Sequence, residues 1–261
     1  MRCSAAVSCT HFLFLPILFL LASFLPPPSF AQETALSIIE KSDQLMRGET
    51  QTGTYRMLIT RPEWEREIEF DFWADGTRRS FIRIQKPQRE KGVSFLRLER
   101  EMWQYVPKIN RTIKIPPSMR LQSWMGSNFT NDDLVRESSI VNDYEHALLG
   151  REELDAGEAY MVELIPKPDA PVTWDRIVQW IRVDDYLPLR AEYFNERGER
   201  VRTVDFSGFK TMHGRTLPAI MTLSEDKKPG HATTLELVNV EFNADIKESV
   251  FTQQNLKRAR L

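Results

Sequence analysis

Ile68, Phe70 and Phe72 alternate one for one with Glu67, Glu69 and Asp71. A period of two is met only by an extended strand that buries one face. Asp75-Gly76 follows as a hairpin turn. The same grammar recurs at residues 80–86, 94–99, 102–106 and 111–115, then at 159–165, 176–183, 189–194, 201–209, 217–224 and 233–242. Asp184-Asp185, Arg197-Gly198, His213-Gly214 and Lys227-Lys228-Pro229-Gly230 supply turns between the later segments. Ten or more short strands with no helical pattern between them argue for a meandering antiparallel sheet, curled into a sandwich or an open barrel.

Three stretches depart from that pattern. Over residues 33–47, Leu36, Ile39, Leu45 and Met46 recur at helical spacing and Gly48 supplies a stop, which predicts one amphipathic helix at the start of the domain. In the last strand, Leu235 and Leu237 point one way while Val238, Val240 and Phe242 point the other, the signature of a bulge or of a strand buried on both faces. Residues 116–137 have no strand pattern, yet carry Met119, Leu121, Trp124, Met125, Phe129 and Leu134. There Thr130, with Asp133 three residues on, is placed to cap a short helix starting near Asn131.

The amino terminus reads as an export signal. Residues 12–25 form an apolar run of 14, preceded by Arg2 and followed by Pro26-Pro27-Pro28-Ser29-Phe30-Ala31. As a helix it would reach about 21 Å, short of a hydrocarbon core of roughly 30 Å. Ser29 and Ala31 are the small residues of a cleavage site before Gln32, so residues 1–31 are expected to be removed and 32–261 to form a single domain. Cys3 and Cys9 both precede the apolar run, so the mature protein is expected to be free rather than lipid-anchored. Export without any cysteine in the mature chain fits a bacterial periplasm.

Several chemistries lack their residues. Beyond residue 31 there are 34 basic and 37 acidic side chains, a net charge of −3 with no basic block, and hence no footprint for nucleic acid. His146, His213 and His231 stand alone, without a partner at metal-ligand spacing. There is no GxSxG, GxGxxG or P-loop. The acidic neighbours Asp132-Asp133, Asp184-Asp185 and Glu152-Glu153 read as a helix start, a turn and a solvated face. No metal and no cofactor is expected.

The order Met102-Trp103-Gln104-Tyr105-Val106-Pro107, then Arg111, Ile113, Ile115 and Pro116, then Gly126-Ser127-Asn128-Phe129-Thr130 and Asp133 resembles the LolA-like outer-membrane lipoprotein-sorting proteins. The first helix, the Asp75-Gly76 hairpin, the Tyr186-Leu187-Pro188 turn and the closing Val250-Phe251-Thr252 with Leu256 fit the same pattern, so the resemblance spans residues 33–258. It implies a mainly β fold: a strongly curved, half-open antiparallel barrel with an N-terminal helix and a short helical lid, enclosing an apolar cavity. It also implies a periplasmic carrier that takes an acylated lipoprotein or lipid from an inner-membrane transporter and hands it to an outer-membrane acceptor, with transient membrane contact and no covalent chemistry. The standard carrier is shorter and lacks Gly126-Ser127-Asn128-Phe129-Thr130, which marks this chain as a divergent branch whose cargo need not be lipoprotein. For the arginine that latches the family's lid, Arg78, Arg79, Arg83 and Arg97 are candidates, and none is assigned.

Lifting an acyl chain out of a bilayer costs about 0.8 kcal/mol per CH₂, on the order of 12 kcal/mol for sixteen carbons, unless a cavity replaces the hydrocarbon. The expected lid is Met119, Leu121, Trp124, Met125 and Phe129. The expected cavity lining is Ile68, Phe70, Phe72, Leu96, Leu98, Trp103 and Tyr105. On this reading Trp124→Asp abolishes uptake and leaves the fold intact. Two other functions stay open: a periplasmic sensor of lipids or lipoproteins that signals to a membrane partner, and an esterase acting on membrane lipid.

Overall fold

The computed structural model describes residues 33–258 except 120, 132, 134–138, 169, 171 and 173. The expected signal peptide and Leu134 lie outside the described residues. The chain opens with α1 (Ala35–Arg47), whose Thr34 cap accepts a hydrogen bond from the Ser37 amide at 3.1 Å and whose end is marked by Gly48 at φ +64°. Six strands follow: β1 (Thr50–Arg61), β2 (Trp64–Asp75), β3 (Arg79–Lys86), β4 (Ser94–Leu98), β5 (Glu101–Val106) and β6 (Arg111–Ile115). After an irregular insertion come β7 (Tyr144–Leu154), β8 (Gly157–Pro166), β9 (Arg176–Arg182), β10 (Pro188–Phe194), β11 (Arg200–Met212), β12 (Arg215–Glu225) and β13 (Ala232–Phe242). A one-turn α2 (Gln253–Leu256) ends the described chain.

All thirteen strands join one antiparallel sheet, in the order β6-β5-β4-β3-β2-β1-β13-β12-β11-β10-β9-β8-β7. Two meanders are sewn together where β13 pairs with β1, leaving β6 and β7 as the two outermost strands. The sheet is curved and open, as a half-open barrel. This topology positions the site: the segment between β6 and β7 joins the two outermost strands, and described residues of it lie against a face of the sheet.

That face is the inner one. Trp124 and Phe129 from the insertion pack there with Phe70, Ile82, Phe95 and Leu235. Beside them, Ile38 and Ile39 of α1 are fully buried against Tyr144, Tyr160, Val162 and Ile181. The outer face is covered in part as well: Val250, Phe251 and Leu256 close over Phe81, Leu96 and Trp103.

The bulge in the last strand is at Val238, which is skipped where Thr54 faces Asn239 and Tyr55 faces Leu237. Its partner strand needs glycine nearby: a Cβ on Gly53 would sit 2.4 Å from the Asn239 carbonyl oxygen. Two strands lack a counterpart among the expected segments. In β1 the alternation is broken by Gly53 and threonines. In β7 a register shift at Leu149 turns that side chain outward.

Candidate functional site

Between the inner face, α1 and the insertion lies a cavity of about 220 Å³, far larger than the water-sized voids of a close-packed interior. Its apolar wall comes from Phe70 and Phe72 of β2, Ile82, Phe206, Met221 and Leu235, facing Tyr144, Trp174 and Ile177 across the space. At one end the lining turns polar, with Ser42, Asp43 and Arg47 of α1 beside Gln51 and Gln179. Tyr55 joins the two zones. Its ring stacks on Phe70 at 5.5 Å and meets Phe72 edge-on at 5.7 Å, while its hydroxyl accepts from the Gln51 amide at 2.9 Å. An apolar wall ending in a polar rim suits an amphiphile.

The insertion is fastened to the sheet at two places. At the first, residues 123–130 double back on themselves, with the Trp124 amide donating to the Phe129 carbonyl at 2.8 Å and Met125 and Gly126 turning the chain at φ +53° and +82°. Arg61 of β1 donates to the Gly126 carbonyl at 2.7 Å and to Asn128 Oδ1 at 2.9 Å, and Arg66 of β2 donates to the Met125 carbonyl at 3.0 Å. Asn128 also donates its backbone amide to Thr233 Oγ1 and its side-chain amide to Glu225. The Gly126-Ser127-Asn128-Phe129-Thr130 motif thus divides into separate tasks: a turn, a buried hydroxyl accepting from the Phe129 amide, a three-strand tie, a cavity wall and a helix cap.

The second fastening is one ion pair. Thr130 and Asp133 form the expected capping box, the carboxylate accepting from the Thr130 amide at 2.8 Å and hydroxyl at 2.9 Å. The same carboxylate takes both Nη atoms of Arg202 on β11, each at 2.9 Å. The Arg202 guanidinium lies 4.2 Å from the Tyr193 ring centre and 4.6 Å from that of Trp174. Burial alone would push the Asp133 carboxyl up, but Arg202 and the Thr130 hydrogen bonds outweigh it and hold the group below the usual carboxylate range. The Arg202 guanidinium is raised in turn, the carboxylate outweighing its own burial. Both groups are charged.

A second, more open hollow of about 800 Å³ lies on the far side of this pair. It is lined by Arg61, Leu121, Asn128, Arg197, Lys228 and His231 among others. Trp174 and Arg202 line both spaces, with Asp133 on the first and Thr130 on the second. The ion pair stands between them.

Residues 76–258 match a family model described as "Uncharacterized protein", a span of well over half of the chain. The chain belongs to that family. Its fold is LolA-like: it is similar to a DUF1329 family protein from Desulfovibrio piger (22% identical, covering 85% of this chain and 97% of that one, TM-score 0.77). It is also similar to a Vibrio parahaemolyticus domain assigned to outer-membrane lipoprotein sorting (21%, 86% and 98%, TM-score 0.74) and to a LolA superfamily protein from Nitrosomonas europaea (23%, 86% and 100%, TM-score 0.71). Among curated proteins none matches significantly.

Within the LolA-like frame the expected site residues separate into four groups. Phe70, Phe72 and Phe129 line the cavity. Ile68 and Trp124 are fully buried in the adjoining core, where Trp124 stands 5.4 Å from both Phe70 and Phe95, and Met125 packs against that core from outside. Met119 and Leu121 are exposed.

Leu96, Leu98, Trp103 and Tyr105 are a correction: they face outward, beneath the carboxy-terminal segment, and the inner-facing residues of those strands are Phe95 and Met102. The four candidate arginines also lie elsewhere. Arg78 and Arg79 pair with Asp75, Arg83 donates to the Asn255 carbonyl at 2.5 Å, and Arg97 donates to carbonyls of Glu99 and Thr77. The arginines that hold the insertion are Arg61 and Arg66, through its carbonyls and Asn128, and Arg202, through the Asp133 carboxylate; the sequence signal for Arg202 is an arginine at an inward register position between Val201 and Val204. Because Trp124 belongs to the core, Trp124→Ala is expected to cost about 3–5 kcal/mol, read as a fall in Tm. Trp124→Asp is expected to unfold the domain rather than spare it.

Proposed function

We propose that this protein is an exported carrier that holds an acylated lipoprotein or lipid in the inner-face cavity and moves it between the inner and outer membranes of a bacterial envelope. The observation that carries this reading is the way the cavity is closed. An apolar wall with a polar rim lies beneath an insertion fastened by hydrogen bonds and one ion pair, with a second hollow immediately beyond that pair. Releasing the Arg202–Asp133 pair would join the two spaces into one trough without unpicking a strand. Cargo that leaves a membrane needs such a cover, and cargo that must be delivered needs one that opens.

Signal cleavage before Gln32, a single domain from residue 32, an inner-membrane transporter as donor and an outer-membrane acceptor complete the proposal. It requires no covalent step. The similarity in fold to the Vibrio domain assigned to lipoprotein sorting supports it.

The test is native mass spectrometry, with lipid extraction, on protein purified from its own periplasm without detergent. An acylated species bound at a defined ratio is the expected result, and its transfer between donor and acceptor vesicles would follow. A clean unliganded mass under gentle conditions, with no transfer, would sink the carrier reading.

A further inference from the structure

Residues 102–131 contain no aspartate or glutamate, yet hold Lys108, Arg111, Lys114 and Arg120, in a chain that is acidic overall. The same stretch holds four of the large apolar side chains that stand exposed: Ile109 at 57%, Leu121 at 55%, Ile113 at 44% and Met119 at 40%. These four lie on β6, in the turns on either side of it and at the start of the insertion, along one edge of the sheet. With five residues at about 3.3 Å each, β6 is roughly 16 Å long, and its flanking turns fit within one footprint. Gly92, whose added Cβ would sit 3.3 Å from Pro107, brings the exposed Lys91 to the same corner. Lys114 is paired across the strands with Glu101. Lys91, Lys108 and Arg111 are exposed and make no ion pair among the described residues.

We propose that this edge is a docking surface for the anionic phospholipid face of a membrane. Aliphatic side chains interleaved with unpaired cations, on a stretch free of carboxylates, match a surface that is negatively charged outside and apolar just beneath. A protein acceptor would be expected to meet a mixed-charge rim, whereas here Lys91, Lys108 and Arg111 have no carboxylate partner among the described residues and Glu101 is taken up by Lys114. The attraction has to be local, because the mature chain as a whole carries net negative charge. Docking here would bring the beginning of the insertion, at Met119 and Leu121, against the lipid. The proposal goes beyond the carrier reading and stands or falls separately from it.

The experiment is co-flotation of the mature protein with vesicles of phosphatidylethanolamine and phosphatidylglycerol, and with vesicles of phosphatidylcholine alone. Binding is expected to the first and not the second, and to fall as salt is raised. Lys108→Glu with Arg111→Glu should lower the bound fraction roughly tenfold or more. Ile109→Ser with Ile113→Ser should lower it as well, and Lys210→Glu with Lys227→Glu, exposed on β11 and on the turn after β12 in the other half of the sheet, should leave it unchanged. Equal binding to both vesicle types, indifference to the Lys108 and Arg111 reversal, or no binding to either vesicle would overturn the proposal, the last pointing to a protein partner. Circular-dichroism melts report folding of each variant. Uptake of a fluorescent fatty acid separates the two readings: the edge variants should float poorly and still take up the probe. A wild-type chain that floats but takes up no probe would leave the docking surface standing and remove the carrier.

Discussion

Arg202→Met is expected to lower Tm by about 6–20 °C and to expose the insertion to protease. The substitution leaves the half-buried Asp133 carboxylate without its cation and removes the guanidinium that lies against Trp174 and Tyr193. Breaking a buried pair from one side costs about 3–5 kcal/mol, and a domain of this size loses roughly 2–4 °C per kcal/mol. Pairing Arg202→Met with Asp133→Leu should recover most of the stability, since two apolar groups replace two desolvated charges. The fastening would still be gone. Fatty-acid retention in the double variant should therefore stay low while Tm returns, a split that an ordinary structural pair would not show.

The pH dependence follows from the direction of the Asp133 shift. Its carboxyl titrates lower in the fold than its ordinary value of 3.8, so the stability it contributes is complete above that value and is lost as pH falls through the folded one. In Arg202→Met burial acts on that carboxyl without its cation and pushes it up, so the variant recovers stability as pH falls through the raised value. The difference in Tm between wild type and Arg202→Met should therefore be largest near pH 7, shrink as the variant's carboxyl protonates, and shrink further once the wild-type carboxyl protonates below pH 4. A difference unchanged from pH 7 to below pH 4 would show that Asp133 does not set it.

The strands were legible in the sequence where one face is buried and the other wet. β2 is the plainest case, with Ile68, Phe70 and Phe72 inward and acidic residues opposite. β4 and β5 gave their positions but not their faces. The carboxy-terminal segment covers their outer side, so Leu96 and Trp103 are as buried as Phe95 and Met102, and alternation carries no sign. A shift of one residue then exchanges the lining for the outer packing. β1 and β7 were hidden for another reason. A glycine met by a neighbouring backbone in β1, and a bulge at Leu149 in β7, interrupt the period that would have revealed them.

The insertion was legible as an anomaly, because large apolar side chains without a strand pattern need somewhere to be buried. Its helix cap was legible too, since Thr130 and Asp133 are three apart. Nothing local says that Asp133 has a second partner 69 residues away. That contact arises because β6 and β7 lie at opposite edges of the sheet and described residues of the segment joining them lie on its inner face, within reach of β11. Long-range pairing of this kind is a property of strand order, and the spacing that reveals the strands does not say that β13 pairs with β1.

Phe206→Asp is expected to reduce fatty-acid affinity by two orders of magnitude or more while the domain still folds. Phe206 lies on β11 opposite Met221, half-buried, with its ring on the cavity wall. In the unliganded protein the new carboxylate faces a space that water can enter, so the fold loses only part of one phenyl burial, about 1–2 kcal/mol. With an acyl chain in place, that water is excluded. Desolvating an unpaired carboxylate costs several kcal/mol, and each 1.4 kcal/mol is a factor of ten in affinity. Phe206→Leu, which keeps the wall apolar, should bind within a few-fold of wild type. The Asp variant should regain affinity as pH is lowered toward 5, because a ligand that excludes water raises the carboxyl's own pKa and is bound best by the protonated form. Fluorescence titration across that range decides the matter. Unchanged affinity in Phe206→Asp would mean that the space beside Phe206 is not where the chain binds.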